Sequence, residues 1–173
     1  MRHNFQSQQW LPHPVELVFA FFANPKNLPC LMPAWQKACI KEVAFTPPPA
    51  AASTRVKSLA AGAGTRVTLS FRPLPYSPIR IAWEAEISEF VWNDHFCDQQ
   101  LHGPFAYWHH CHSVSSESRA GHSGTRLCDD VEYELPFGKL GELAQRLFIA
   151  RQLLRTFAYR HARTDELLAV HKP

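Results

Sequence analysis

Two histidines spaced two apart, His110 and His112, and one aspartate, Asp129, are the residues of this chain whose types and spacing could do chemistry. They fall in two stretches of alternating character. The first runs Gly103-Pro104-Phe105-Ala106-Tyr107-Trp108-His109-His110-Cys111-His112-Ser113-Val114. The second runs from Gly124-Thr125-Arg126-Leu127-Cys128-Asp129-Asp130-Val131-Glu132-Tyr133 to Leu135-Pro136-Phe137-Gly138. Successive strand residues point to opposite faces, so Leu127, Asp129, Val131, Tyr133 and Leu135 share a face, against Arg126, Glu132 and Glu134. The apolar set marks the inward side. If Trp108 and Val114 mark the inward side of the first strand, His110 and His112 join it, and the core face then carries two imidazoles and a carboxylate. Polar groups in that position predict a lined cavity rather than a dry core.

Three roles suit His110, His112 and Asp129. They could form a hydrogen-bonded group that rigidifies the sheet and shapes a cavity wall. They could recognise a ligand or move protons, because an aspartate can hold a histidine in one tautomer near neutral pH. They could bind a metal, since His-x-His presents two imidazoles on one strand face. Cupin-like barrels that use that pattern need further ligands and lack a long gripping helix, so no metal and no cofactor is expected. His109 falls on the opposite face, toward solvent.

The positioning elements follow from periodicity. Residues 3 to 10 alternate weakly up to Trp10, and Pro12 and Pro14 end that strand. Val15, Val18, Phe19 and Phe22 then recur at helical spacing, and a second short turn is expected from Asn27 to Leu31. Strands are expected at Trp35 to Phe45, Gly64 to Phe71, Ile79 to Val91 and His95 to Leu101, ahead of the two stretches above. Leu140, Leu143, Leu147, Ala150, Leu154 and Phe157 recur at three and four residues on a long helix running past Arg160, with Arg146, Arg151, Arg155 and Arg163 on its other face. Leu147 and Leu154 are expected to be buried against the sheet. The arginine face is expected to be solvated, with docking on an acidic partner or membrane surface as its functional alternative. A strongly curved antiparallel sheet needs a cover, and only this helix is long enough to supply one.

This order of elements resembles the START/polyketide-cyclase-like superfamily of helix-grip proteins (SRPBCC), as do Gly103-Pro104-Phe105, Trp108-x-His110-x-His112, Gly124-Thr125 and Tyr133-Glu134-Leu135-Pro136-Phe137-Gly138. The nearest likeness is to bacterial members of unassigned function. The resemblance implies an α+β fold in which about seven strands wrap a long C-terminal helix. It also implies a cavity for a lipid, polyketide, sterol or aromatic ligand, without implying catalysis.

The expected reading is one domain over residues 1–173 that binds a small hydrophobic ligand between sheet and helix. Trp83, Trp108, His110, His112, Asp129, Tyr133, Leu147 and Leu154 are the candidate ligand-binding residues. A cyclase or dehydratase that uses His110, His112 and Asp129 as acid/base groups is the alternative. The gate is expected near Pro73 to Pro78 or Pro47 to Ala52. A net charge of +3 without a basic run argues against nucleic acid, and no apolar window is long enough for an integral membrane segment. With no apolar leader after Met1, a cytoplasmic location is expected. Cys30, Cys39, Cys97, Cys111 and Cys128 form no Cys-x-x-Cys pair and are expected to be free thiols. Cys97, Cys111 and Cys128 could share the outward face. In the expected register Val114 opposes Thr125, His110 opposes Asp129 and Cys111 opposes Cys128, with Asp98 and Gln100 inward on the preceding strand. A bulge after Gly103-Pro104 would reverse this parity.

Overall fold

The computed structural model describes residues 1–50 and 59–169. Strand β1 (Arg2–Leu11) is followed by helix α1 (Val15–Phe22) and 3-10 turns at Pro25–Leu31 and Ala34–Gln36. Strands β2 (Cys39–Ala44), β3 (Arg66–Phe71), β4 (Ile81–Val91), β5 (His95–His102), β6 (Tyr107–Arg119) and β7 (His122–Glu134) follow. The chain closes with α2 (Lys139–Ala144), a π turn (Gln145–Ile149) and α3 (Ala150–Ala169). The described strands make one antiparallel sheet in the order β1-β7-β6-β5-β4-β3-β2, so the last strand returns to pair with the first. Among the described residues no helix is long and apolar enough to cross a membrane.

Two apolar clusters fix the layers. Phe19 and Phe22 of α1 meet Leu11, Phe96, Val114 and Leu127 of the sheet and Leu168 of α3. Leu153 and Phe157 of α3 pack on Trp108, Val131 and Tyr133. The helix therefore grips the sheet through Leu153, Phe157, Thr164 and Leu168, all buried. Phe157 of the expected stripe is buried, but Leu147 and Leu154 are not, at 57% and 61% exposed, which corrects their expected place against the sheet. The leucine row and the burying row differ by one residue, about 100° around the helix. The burying row contains Thr164, whose hydroxyl donates to the Arg160 carbonyl at 2.8 Å and so travels inside as a satisfied group.

The hairpin register differs from the expected one by two residues. His112 opposes Asp129, His110 opposes Val131 and Cys111 opposes Asp130. The cause is the turn. The polar run from Ser115 to Ser123 reads as a loop, yet it continues both strands up to a two-residue connection, Ala120-Gly121, with Arg119 opposite His122. Both turn residues have positive φ, 49° and 80°, the twist that closes a tight hairpin. Alanine gives no signal for that conformation. Because the shift is even, the faces are unchanged, and the ladder runs without a bulge from Tyr107 to Arg119.

Cys97 and Cys111 are directly paired across β5 and β6 and form a disulfide, correcting the free-thiol expectation. Cys30, Cys39 and Cys128 are free, and Cys128 opposes Ser113, so it stands apart from the other two.

Candidate functional site

Between the concave sheet face and the C-terminal helix lies a cavity of about 590 Å³. Phe71, Trp83, Trp108, Phe105, Leu153 and Phe157 supply apolar wall, and Asp98, His110, His112 and Arg160 form a polar end. Of the residues expected to line it, Trp83, Trp108, His110 and His112 do so. Asp129 and Tyr133 stand behind the wall. Asp129 is 2% exposed beneath the imidazoles, and the Tyr133 hydroxyl accepts from Gln145 Nε2 at 3.2 Å. Leu147 and Leu154 are not part of the lining. Pro73, in one expected gate loop, borders the cavity. In the other, the Pro49 carbonyl accepts the Trp92 indole N–H at 2.7 Å, and residues 51 and 52 lie outside the described residues.

The polar end is built across three strands. Asp98 of β5 is the direct partner of His110 on β6, and His112 is the direct partner of Asp129 on β7. His110 Nε2 donates to Asp129 Oδ1 at 3.0 Å. His112 Nδ1 lies 2.7 Å from the same oxygen, close but out of line for a good hydrogen bond. On the far side of the two rings, His110 Nδ1 and His112 Nε2 stand 3.7 and 3.9 Å from Asp98 Oδ2. The ring centroids are 3.9 Å apart. Phe96 and Phe22 flank the His112 ring, which lies 4.6 Å from the first and 5.9 Å from the second. Arg160 lies over Phe22 and Phe157, and its Nε has no partner.

Charge is unevenly distributed in this layer. Burial, with the neighbouring His110 and Arg160 charges, pushes the His112 imidazole down to about 3, so it is neutral at physiological pH. Burial also raises Asp98, against the opposing pull of His110 and Arg160. For Asp129 burial acts upward too. There it is outweighed by the Arg160 charge, the adjoining His112 imidazole and the hydrogen bond from His110, which hold the carboxyl well below its ordinary range.

An ionised Asp129 can only accept, so His110 turns its Nε2–H toward it, while the neutral His112 ring sits against the same oxygen without an aligned bond. His110 Nδ1 and His112 Nε2 face the same space as Asp98 Oδ2. These three polar atoms, within 4.8 Å of one another, fit a shared proton, the polar group of a ligand or a divalent cation. Asp98 is the member for which sequence gave only the weak signal of an inward position beside His110. Arg160 was read as part of the helix length, and its place at the polar end follows from the one-residue rotation of the gripping face.

No family model matches the sequence, and no curated protein matches it. Solved structures do share the architecture. A Thermus thermophilus protein, TTHA0849, is 16% identical with a TM-score of 0.68, over 99% of this chain and 100% of that one. Thalictrum flavum norcoclaurine synthase, solved in complex with dopamine and hydroxybenzaldehyde, is 14% identical with a TM-score of 0.63, over 100% of this chain and 90% of that one. Panax ginseng major latex-like protein 151 is 11% identical with a TM-score of 0.63, over 99% of each chain. The chain shares with these structures a helix-grip fold, with seven described antiparallel strands and a long C-terminal helix.

Proposed function

We propose that the protein binds one small hydrophobic ligand between sheet and C-terminal helix, with the polar end of that ligand held by Asp98, His110 and His112. The observation that carries this reading is the cavity itself, about 590 Å³ of mainly apolar wall closed at one end by a charged and hydrogen-bonding cluster. That size suits a small organic molecule. The three converging polar groups favour a ligand that hydrogen-bonds there, and Arg160 supplies a donor beside them. Asp129 acts as a positioning residue, because its ionised carboxylate holds the His110 Nε2–H and so fixes which edge of that imidazole faces the ligand.

The His110–Asp129 hydrogen bond favours a second reading, proton transfer in a cyclase or dehydratase reaction. A neutral imidazole oriented by a carboxylate can take a proton from a bound substrate and return it. The cavity would fold the substrate for that step.

Native mass spectrometry of the purified protein, followed by chemical identification of the released molecule, separates the two. A carrier yields a stoichiometric apolar molecule that returns unchanged after rebinding. An enzyme converts it, at a rate that falls by about a hundredfold or more in His110→Ala and Asp129→Asn. A protein that retains no small molecule and takes up none from a lipid and aromatic extract would overturn both.

A further inference from the structure

The outer face of the sheet carries a second cluster, on the opposite side from the cavity. Glu89 of β4 is the direct partner of Cys97, and Cys97 is the direct partner of Cys111, so the three stand in one row across β4, β5 and β6. His109 lies two residues before Cys111, hence on the same face, with Nδ1 3.9 Å from Cys111 Sγ. Glu89 Oε2 lies 3.9 Å from Cys97 Sγ. The two sulfurs and the His109 nitrogen fall within 4.8 Å of one another.

We propose that, once the Cys97–Cys111 bond is reduced, Cys97, Cys111 and His109 bind a divalent cation of the zinc type on the outer face of the sheet, with the Glu89 carboxylate as fourth ligand. Zinc–sulfur bonds of about 2.3 Å and zinc–nitrogen bonds of about 2.0 Å place tetrahedral ligand atoms roughly 3.5 to 3.8 Å apart. The Cys111–His109 and Cys97–Glu89 separations are already close to that spacing, and only the two bonded sulfurs must part. Thiolate and imidazole ligands select zinc-like ions over magnesium or calcium. The cation can enter from the Glu89 side, whose side chain is 60% exposed, while Cys97 anchors the site from beneath at 2% exposure.

The chemistry balances with a dithiol as reductant. It delivers two electrons and two protons, the S–S bond breaks, two thiols form, and the reductant leaves as its own disulfide. The cation then displaces both thiol protons to solvent. Disulfide and metal site are thus alternative states of the same two sulfurs, and oxidation expels the ion.

Cobalt(II) is the probe, because thiolate coordination gives a near-ultraviolet charge-transfer band that imidazole and carboxylate ligands alone do not produce. Reduced full-length protein, freed of dithiol and titrated with Co(II), is expected to bind one equivalent with that band. Added Zn(II) should displace the ion and abolish the band, and oxidised protein should show none. Cys97→Ser and Cys111→Ser should each lose most of the band, and His109→Ala should weaken binding at least about tenfold. A variant with Cys30, Cys39 and Cys128 all changed to serine should keep it. The proposal is overturned if the reduced protein shows no thiolate band or loses its near-ultraviolet circular dichroism. It is also overturned if the band survives Cys97→Ser and vanishes with Cys128→Ser. Cobalt held at the Asp98, His110 and His112 end of the cavity would appear without the band, so the readout is independent of ligand binding.

Discussion

Phe157→Ala is expected to destabilise the protein by about 3 to 5 kcal/mol, and Leu154→Ala by less than about 0.5 kcal/mol. Phe157 is 4% exposed and seated at the junction of helix and sheet, with ring centroids 4.8 Å from Phe5 and 5.7 Å from His110. Its removal leaves a void that cannot collapse without moving α3, because Leu153 and Val131 are held by the same cluster. Leu154, one residue from Leu153, exposes most of its side chain and has little packing to lose. Urea denaturation of the two variants checks the contrast. Equal losses, or a larger loss at Leu154, would place the gripping face on the leucine row instead.

Asp129→Ala is expected to cost about 3 kcal/mol at neutral pH, since it strips buried His110 of its ionised acceptor and leaves the Arg160 charge uncompensated. The same carboxylate sets an acid limb. Its folded pKa is below its unfolded value, so the unfolded chain binds the proton more readily. The contribution is therefore fully present above about pH 4 and drains away as pH falls further, through the folded value. Denaturant midpoints measured from pH 7 to 3 should fall more steeply below pH 4 in the wild type than in Asp129→Asn. The buried neutral His112 adds its own loss, which begins as pH falls through about 6.5, so the test is the difference between the two proteins. Parallel curves below pH 4 would mean that Asp129 is not ionised in the fold.

Strand identity and facing were legible because Leu127, Val131, Tyr133 and their partners alternate with charges, and because parity survives any even shift of register. The register itself was not, since it depends on a two-residue turn whose first member is an alanine at positive φ. The same shift separates Cys128 from Cys111, while the Cys97–Cys111 bond depends on the separate register of β5 against β6. On the helix, leucine spacing pointed to the wrong row because the burying row includes Thr164 and the cavity end is reached by Arg160. A polar residue satisfied by its own helix, or aimed into a cavity, leaves no trace in hydrophobic periodicity. His110, His112 and Asp129 could be grouped from sequence because all three lie in one hairpin. Asp98 comes from the strand before, and its partnership with His110 depends on pairing that alternation alone does not specify.

The central claim is that the space between sheet and helix is a binding site. The direct measurement is calorimetric titration of the protein with an apolar fluorescent dye of naphthalene-sulfonate size, repeated on Thr156→Phe, which fills the cavity from α3, and on Leu154→Phe, which places the same aromatic ring outside it. Saturable one-to-one binding to the wild type and Leu154→Phe, weakened about tenfold or more in a folded Thr156→Phe, is the predicted result. Equal binding to all three proteins, or none to the wild type, would contradict it.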